Sequence, residues 1–302
     1  MTPAPPEKTP ELICIGAMLW DVIGRSRAVM APGADLPGRI AHIPGGVALN
    51  VAMAVARWGM TPAILSAVGR DAEGEALIGA VGKHEVLTGY LYRDGGPTDV
   101  YMAIEDAEGL IAAIADAHSL EDAGDMVLAP IRDGRLASAA APWAGVAVID
   151  GNLTTQQLAL IAAEPGLAGA DLRIVPASPG KAERLEPLIG VENGCFYLNR
   201  FEAEILAGRD LPDAPAAARA MLERGMKRVI VTDGGGMVAD GLAGRDMIVA
   251  APPHVAINRV TGAGDSFLAA HLAAERDKAD RQTALTRAAE AASAHVSGKD
   301  MP

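Results

Sequence analysis

"NRVTGAGDSFLAAHLAAE" occupies Asn258–Glu275, and the reading of its first half decides what kind of chain this is. Gly262-Ala263-Gly264-Asp265 stands directly before an apolar helical stretch. An Asp at a helix start can be a plain cap. A helix start flanked by glycines is also a ready anion site, because bare backbone N–H groups and the helix dipole point the same way. With a carboxylate beside it, such a mouth has two parts useful for phosphoryl transfer. The donors meet the charge that grows on the transferred group, and the carboxylate takes a hydroxyl proton. The tetrapeptide alone favours the cap, so the rest of the chain has to decide.

Upstream of it, short apolar runs alternate with helical stretches. The runs are Leu12–Leu19, Ala63–Gly69, Gly145–Asp150, Leu172–Ala177, Cys195–Asn199 and Arg228–Gly234. Continuous apolar strands separated by helices predict a mostly parallel sheet covered on both faces. Ligands bind beyond the carboxyl ends of such strands. Asp21, Asp150, Asn199 and the Gly234 loop all follow strand runs and are expected to converge on one crevice. "GGVALNVAMAVARWG", from Gly45, is apolar nearly all round and predicts a buried helix. Asn50 inside it needs a ligand or a polar partner, since an unpartnered buried amide costs about 1–3 kcal/mol.

Two segments break the rhythm, Gly38–Gly46 and Thr88–Glu121. Both look extended, and "DAEG" at 106–109 is a hairpin turn signal. They predict a small sheet outside the main one, formed by about 36–45 and 88–118, acting as a lid or an association surface. Residues 1–9, rich in Pro and charge, read as a flexible tail, and 10–302 as the folded unit.

The bulk numbers bound the function. The chain has 302 residues, 50% of them hydrophobic, with a net charge of −12. An acidic chain lacks the basic footprint of a nucleic-acid binder. No apolar run reaches the ~18 residues of a membrane span, and no secretory signal opens the chain. Cys14 and Cys195 are too few and too far apart for a disulfide framework or a zinc site, which suggests a cytoplasmic setting. GxxxxGK[ST], GxGxxG after the first strand and HExxH are all absent. Ser178–Lys181 fits SxxK without its companion elements.

Taken together, "GAGDSF", "PGGVALNVAMAVARWG", "VGRDAEG" and Asn199-x-x-Glu202 in "LNRFEAEIL" resemble the signatures of the ribokinase-like, PfkB carbohydrate kinase family. The resemblance runs from about Glu11 to about Ser297. It implies a three-layer α/β sandwich with a mostly parallel sheet and a β lid, using ATP and Mg²⁺. Asp265 would be the base and Gly262, Ala263 and Gly264 the anion hole. Asp21, Gly46 and Asn50 would hold acceptor hydroxyls, and Asn199, Thr232 and Gly234 would border ATP. Glu202 would organise Mg²⁺. "TDVYMAIEDAEGLIAAIADAHSLE" and "PASPGKAERLEPLIG" resemble the pseudouridine kinase branch, which implies transfer to the 5′-hydroxyl of that nucleoside. Ribose, adenosine or a fructose-type sugar as acceptor, and a catalytically silent binding protein, are the alternatives.

Bland readings stand beside several of these. Asp21 can simply end a strand, Glu202 can be a first-turn acid favoured by the helix dipole, and Asp116 can be a solvated strand end rather than a base contact. The chain also departs from the family pattern. Arg259 and Val260 fill slots that are often Asp and Thr and help hold a monovalent cation, which speaks against that site. Met237 stands where the nucleotide loop usually has glycine. The lid edge could pair with a second copy as a homodimer.

Overall fold

A computed structural model describes residues 8–299, so residues 1–7 of the expected tail lie outside the described residues. In chain order the first strands are β1 (Leu12–Ile15), β2 (Leu19–Ser26), β3 (Gly38–Gly45), β4 (Pro62–Leu65), β5 (Ala67–Gly69), β6 (Tyr92–Asp94), β7 (Val100–Asp106) and β8 (Gly109–Asp116). They are followed by β9 (Val146–Asp150), β10 (Asp171–Val175), β11 (Gly194–Asn199), β12 (Arg228–Thr232), β13 (Val238–Leu242) and β14 (Ile248–Ala250). The helices are α1 (Val47–Arg57), α2 (Ala72–Val81), α3 (Ser119–Asp122), α4 (Ala129–Arg132), α5 (Thr155–Ala162), α6 (Arg200–Ala207), α7 (Ala214–Glu223), α8 (Ala263–Arg276) and α9 (Arg281–Val296).

The main sheet has the order β14-β13-β12-β11-β10-β9-β1-β4. From β12 to β4 all pairings are parallel, as the apolar runs predict. β13 and β14 are antiparallel. Only Asp233–Met237 separates β12 from β13, too short for the crossover that a parallel neighbour requires.

Alternation along β1 builds the three layers. Ile13 and Ile15 pack into one core with Leu158 of α5, Leu206 of α6 and Met221 of α7. Leu12 and Cys14 pack into the other with Leu49 of α1, Leu268 of α8 and Leu285 of α9. Each such fully buried side chain contributes about 1.5–3 kcal/mol relative to exposure. Asp150 falls on the α1–α8 side by the same alternation, one residue past Ile149.

The small sheet is β3-β2-β7-β8, with the expected hairpin between β7 and β8. Its composition differs from the sequence reading. β2, which the sequence assigned partly to the first strand, lies inside it and pairs along its length with both β3 and β7. β6 belongs elsewhere, pairing with β5 in a separate two-stranded sheet. The apolar run Ala63–Gly69 is therefore split, β4 joining the main sheet and β5 leaving it. The small sheet is tied to the body near α2, where Asp71 accepts the Thr98 N–H (2.8 Å) and Trp20 Nε1 donates to the Glu73 carbonyl (2.9 Å).

Candidate active site

Gly262 sets the mouth of α8. Its φ of 85° is left-handed, which only glycine adopts readily, and an added Cβ would lie 3.1 Å from His295 Nε2. The Ala263 N–H donates to the Val260 carbonyl at 3.1 Å, so it closes the turn instead of facing outward. Of the amides expected to hold an anion, this one is already engaged. The Gly264 and Asp265 N–H groups have no partner among the described residues. They are the orphan donors that every helix start leaves.

Asp265 sits in the first turn of α8, half-buried. Burial pushes its carboxyl from 3.8 up to about 7, with the Asp150 charge adding to the rise and the neighbouring Asn50 side chain opposing it. The residue keeps an opening to solvent, yet the protein packed around the carboxyl disfavours its charge. A carboxylate poised near neutrality suits proton abstraction. Asn50 of α1 thus has a polar neighbour in Asp265.

Asp150 organises the same corner from below. It is fully buried at the end of β9, and its Oδ2 accepts the Ala17 and Ala48 N–H groups at 2.9 Å each. Gly46 at the N-terminus of α1 carries no capping side chain, so Asp150 supplies the cap from another strand. Burial raises the Asp150 carboxyl, and these N–H donors, with that of Asn152, oppose the rise. Gly16 is glycine for a reason: a Cβ there would lie 2.5 Å from Asp150 Oδ2. Asn152 Oδ1 in turn accepts from Lys181 Nζ at 2.6 Å, so the SxxK lysine is tethered beside this corner.

Asp21 joins this corner from the small sheet. It lies inside β2 rather than ending the first strand, and burial pushes its carboxyl up to about 6. That carboxyl occupies the space over Gly45, where a Cβ would stand 2.1 Å from Oδ2. Contacts therefore run from Asp21 through Gly45 and Gly46 to Asn50 and Asp265.

Asn199, Glu202, Thr232 and Gly234 form a second group. Asn199 and Thr232 are register partners at the ends of β11 and β12. Asn199 and Glu202 make a reciprocal capping box, with Asn199 Oδ1 accepting the Glu202 N–H at 2.9 Å and Glu202 Oε2 accepting the Asn199 N–H at 2.7 Å. The bland reading of Glu202 as a first-turn acid is thus what its contacts show. Burial also pushes its carboxyl up to about 7. Gly234, at φ 55°, turns the chain after β12, and Arg200 of α6 clamps this turn through Asp233 at 2.8 Å. This group stands two to three strands from Asp150, about 10–14 Å along the same sheet edge.

Asp116 is not brought to either group. It ends β8 with a side chain 73% exposed, two strands across the lid from Trp20, and His118 Nε2 lies 3.9 Å from its Oδ1. Solvation of a strand end accounts for it. Arg259 is folded onto the last turn of α9, donating from Nε to the His295 carbonyl at 2.9 Å, a favourable place for a cation. Sequence reasoning missed Gly45 and the organising role of Asp150. An acid closing an otherwise apolar strand run was the available signal for Asp150. Gly45 had none, because its role depends on a side chain from another strand.

A three-layer sandwich with a side sheet over a glycine-flanked helix mouth and a poised carboxylate is a ribokinase-like fold, the class of phosphotransferases that act on hydroxyl groups. The family model described as pfkB family carbohydrate kinase matches residues 9–300, and the chain belongs to that family. It is 28% identical over 264 residues to pseudouridine kinase of Escherichia coli K12, covering 85% of this chain and 81% of the relative. A carbohydrate kinase from Agrobacterium tumefaciens superposes with a TM-score of 0.77 at 27% identity, covering 95% of this chain and 90% of that one. The ribokinase of Arabidopsis thaliana complexed with ribose and ATP shares the fold at a TM-score of 0.76 and 20% identity, covering 96% and 93%. The chain is therefore a sugar or nucleoside kinase, and its family implies the use of ATP.

Proposed function

We propose that this kinase transfers the γ-phosphoryl group of ATP to the 5′-hydroxyl of pseudouridine. The observation that carries the chemistry is the place of Asp265 in the first turn of α8, beside Asn50 and behind the open Gly264 and Asp265 amides, where burial raises its carboxyl. The similarity to pseudouridine kinase over most of the chain supports the choice of acceptor.

In this reading Asp21 and Asn50 hold ribose hydroxyls against Gly46, and Asp265 takes the 5′-hydroxyl proton as that oxygen attacks. The open Gly264 and Asp265 amides face the charge that develops on the transferred group. Ala263 sets the turn, and Gly262 permits it. ATP lies toward Asn199, Thr232 and Gly234. Among the described residues no group of three or more His, Cys, Asp or Glu could hold a metal. Mg²⁺ keeps several waters and is held by phosphates with one or two carboxylates. Glu202 is the carboxylate beside the nucleotide group, and the ion would supply charge neutralisation on the phosphates. A silent binding role would leave a base at Asp265 without purpose.

The small sheet acts as the lid. One face carries Asp21, and the other carries Ile40, Met102, Ile104 and Ile114, exposed at 74%, 47%, 41% and 69%. So broad an exposed apolar face suits pairing with a second copy, giving a homodimer through the lids. No helix among the described residues is long and apolar enough to cross a membrane. The acidic charge fits small-molecule partners rather than nucleic acid, and two buried free cysteines fit the cytoplasm.

ATP-dependent phosphorylation of a panel containing pseudouridine, uridine, adenosine, ribose and fructose tests the acceptor. The highest kcat/KM is expected for pseudouridine. A higher value for ribose or adenosine would overturn the assignment while leaving the kinase chemistry intact.

A further inference from the structure

One side chain from another helix grips the mouth of α8 on both sides. His295 stands in the last turn of α9, and its Nε2 lies 2.8 Å from the carbonyl of Thr261, the residue before Gly262. Its Nδ1 lies 3.0 Å from Ser266 Oγ, one residue past Asp265, and 3.1 Å from Arg259 Nη2. The ring therefore spans Gly262–Asp265, the segment that carries the open amides and the carboxylate. Gly262 leaves room for it, since a Cβ there would stand 3.1 Å from Nε2.

The partners fix the tautomer. A guanidinium only donates, so Nδ1 is bare and accepts. A carbonyl only accepts, so Nε2 carries the proton and donates to Thr261. Both conditions hold in one neutral form, with the Ser266 hydroxyl as a second donor to Nδ1. A basic residue in a last helical turn often serves the helix dipole, but that role needs a charged ring. Backbone bonds tie the chain to α9 only as far as Arg259. The Asn258 and Arg259 N–H groups donate to the Val296 carbonyl at 2.9 and 3.2 Å. For Val260, Thr261 and Gly262, His295 is the one hydrogen-bond partner outside their own turn and α8 among the described residues.

We infer that His295 is a positioning residue for phosphoryl transfer: its Nε2–H holds the Thr261 carbonyl and so fixes the direction in which the Gly264 and Asp265 amides and the Asp265 carboxylate open. The inference rests on the reading of this helix mouth as the site of transfer. His295 acts through the turn and not on the substrate. Such a role matters because a misplacement of about 1 Å can cost about 10²-fold in rate.

The test compares His295→Ala, His295→Gln and His295→Asn. The glutamine amide nitrogen is as many bonds from Cβ as Nε2 is, so it can donate to Thr261. The asparagine amide oxygen matches Nδ1 and can accept from Ser266 and Arg259, but asparagine cannot reach Thr261. Steady-state kinetics use whichever acceptor of the panel above gives the highest kcat/KM. His295→Ala should lower kcat about 10–100-fold. The acceptor KM should stay within about threefold, because Asp21, Gly46 and Asn50 lie on other elements. Glutamine should restore kcat to within about fivefold of wild type, and asparagine should stay near alanine. In the substrate-free protein, the Ala263 and Ser266 amides, bonded across this turn, should exchange about tenfold faster in the alanine and asparagine variants than in wild type and glutamine. Four results would each overturn the proposal: a kcat in His295→Ala within about threefold of wild type, equal kcat in the three variants, rescue by asparagine in place of glutamine, or unchanged exchange in His295→Ala. Should His295→Ala melt below the assay temperature, the comparison of glutamine with asparagine decides. Exchange is read without substrate and kinetics with the best acceptor, so failure of the pseudouridine assignment would mimic none of these results.

Discussion

Replacing Asp265 by Asn should make the protein more stable and nearly inactive at once. Burial holds the Asp265 carboxyl at about 7 in place of 3.8. Below about pH 4 the group is protonated folded or unfolded and adds nothing to the balance. Between there and pH 7 the unfolded chain ionises and the folded one resists, so stability falls as pH rises. A shift of about three units corresponds to about 4 kcal/mol, and to about 1–3 kcal/mol once solvent reaching this half-buried residue is allowed for. Asparagine keeps the shape and the hydrogen-bonding capacity toward Asn50 without the charge. The variant should therefore melt about 2–5 °C higher than the wild type near pH 8, with a smaller gap near pH 5.5. Its kcat should fall about 10²–10⁴-fold, the usual contribution of a positioned base. In the wild type, kcat/KM should rise with pH through about 7 as the carboxylate forms. Thermal melts at the two pH values and steady-state assays at saturating ATP measure all of this. A kcat within about threefold of wild type would make Asp265 a helix cap only. Equal stabilisation at both pH values would show that the buried charge is not its cause.

Gly45→Ala places a methyl 2.1 Å from Asp21 Oδ2, so it should displace that carboxylate, raise the acceptor KM at least about tenfold and leave the KM for ATP unchanged; an unaltered acceptor KM would remove Asp21 from the site. Hydrogen exchange across residues 88–121 should slow on adding pseudouridine as the lid closes, and unchanged protection at saturation would remove the lid role. Exchanging K⁺ for Na⁺ or a bulky organic cation at constant ionic strength should hardly change the rate. Arg259 is anchored at the end of α9, and a potassium ion about 4 Å away would meet about 4 kcal/mol of repulsion at an effective dielectric of 20. Strong activation by potassium would contradict this.

The main sheet, the buried α1 and the helix mouth at Gly262 were all legible in the amino-acid sequence. Their signals are local: apolar runs of strand length, an all-round apolar helix, and glycines before an acid. Period and composition act over a few residues, and a parallel α/β sheet is the packing that such runs permit. The hairpin of β7 and β8 was legible for the same reason, through its Asp–Gly turn.

What the linear chain could not decide was which sheet a polar-lined strand joins and what fills the space above a glycine. Asp21 follows an apolar run, so by pattern it ended the first strand. In three dimensions the chain breaks after Ile15, and β2 finds its partners in β3 and β7, segments far along the sequence. Asp150 read as one strand end among several. Only the stacking of α1 and α8 on that face of the sheet makes it the cap of one helix and the electrostatic neighbour of the carboxylate on the other. Glu202 and Asp116 carried functional and bland readings that spacing could not separate. A capping box settled the contacts of the first, and exposure at the lid margin those of the second. Local sequence specifies elements through short-range sterics and periodicity, whereas the pKa values and contacts of a site depend on burial and on neighbours that only tertiary packing brings within reach.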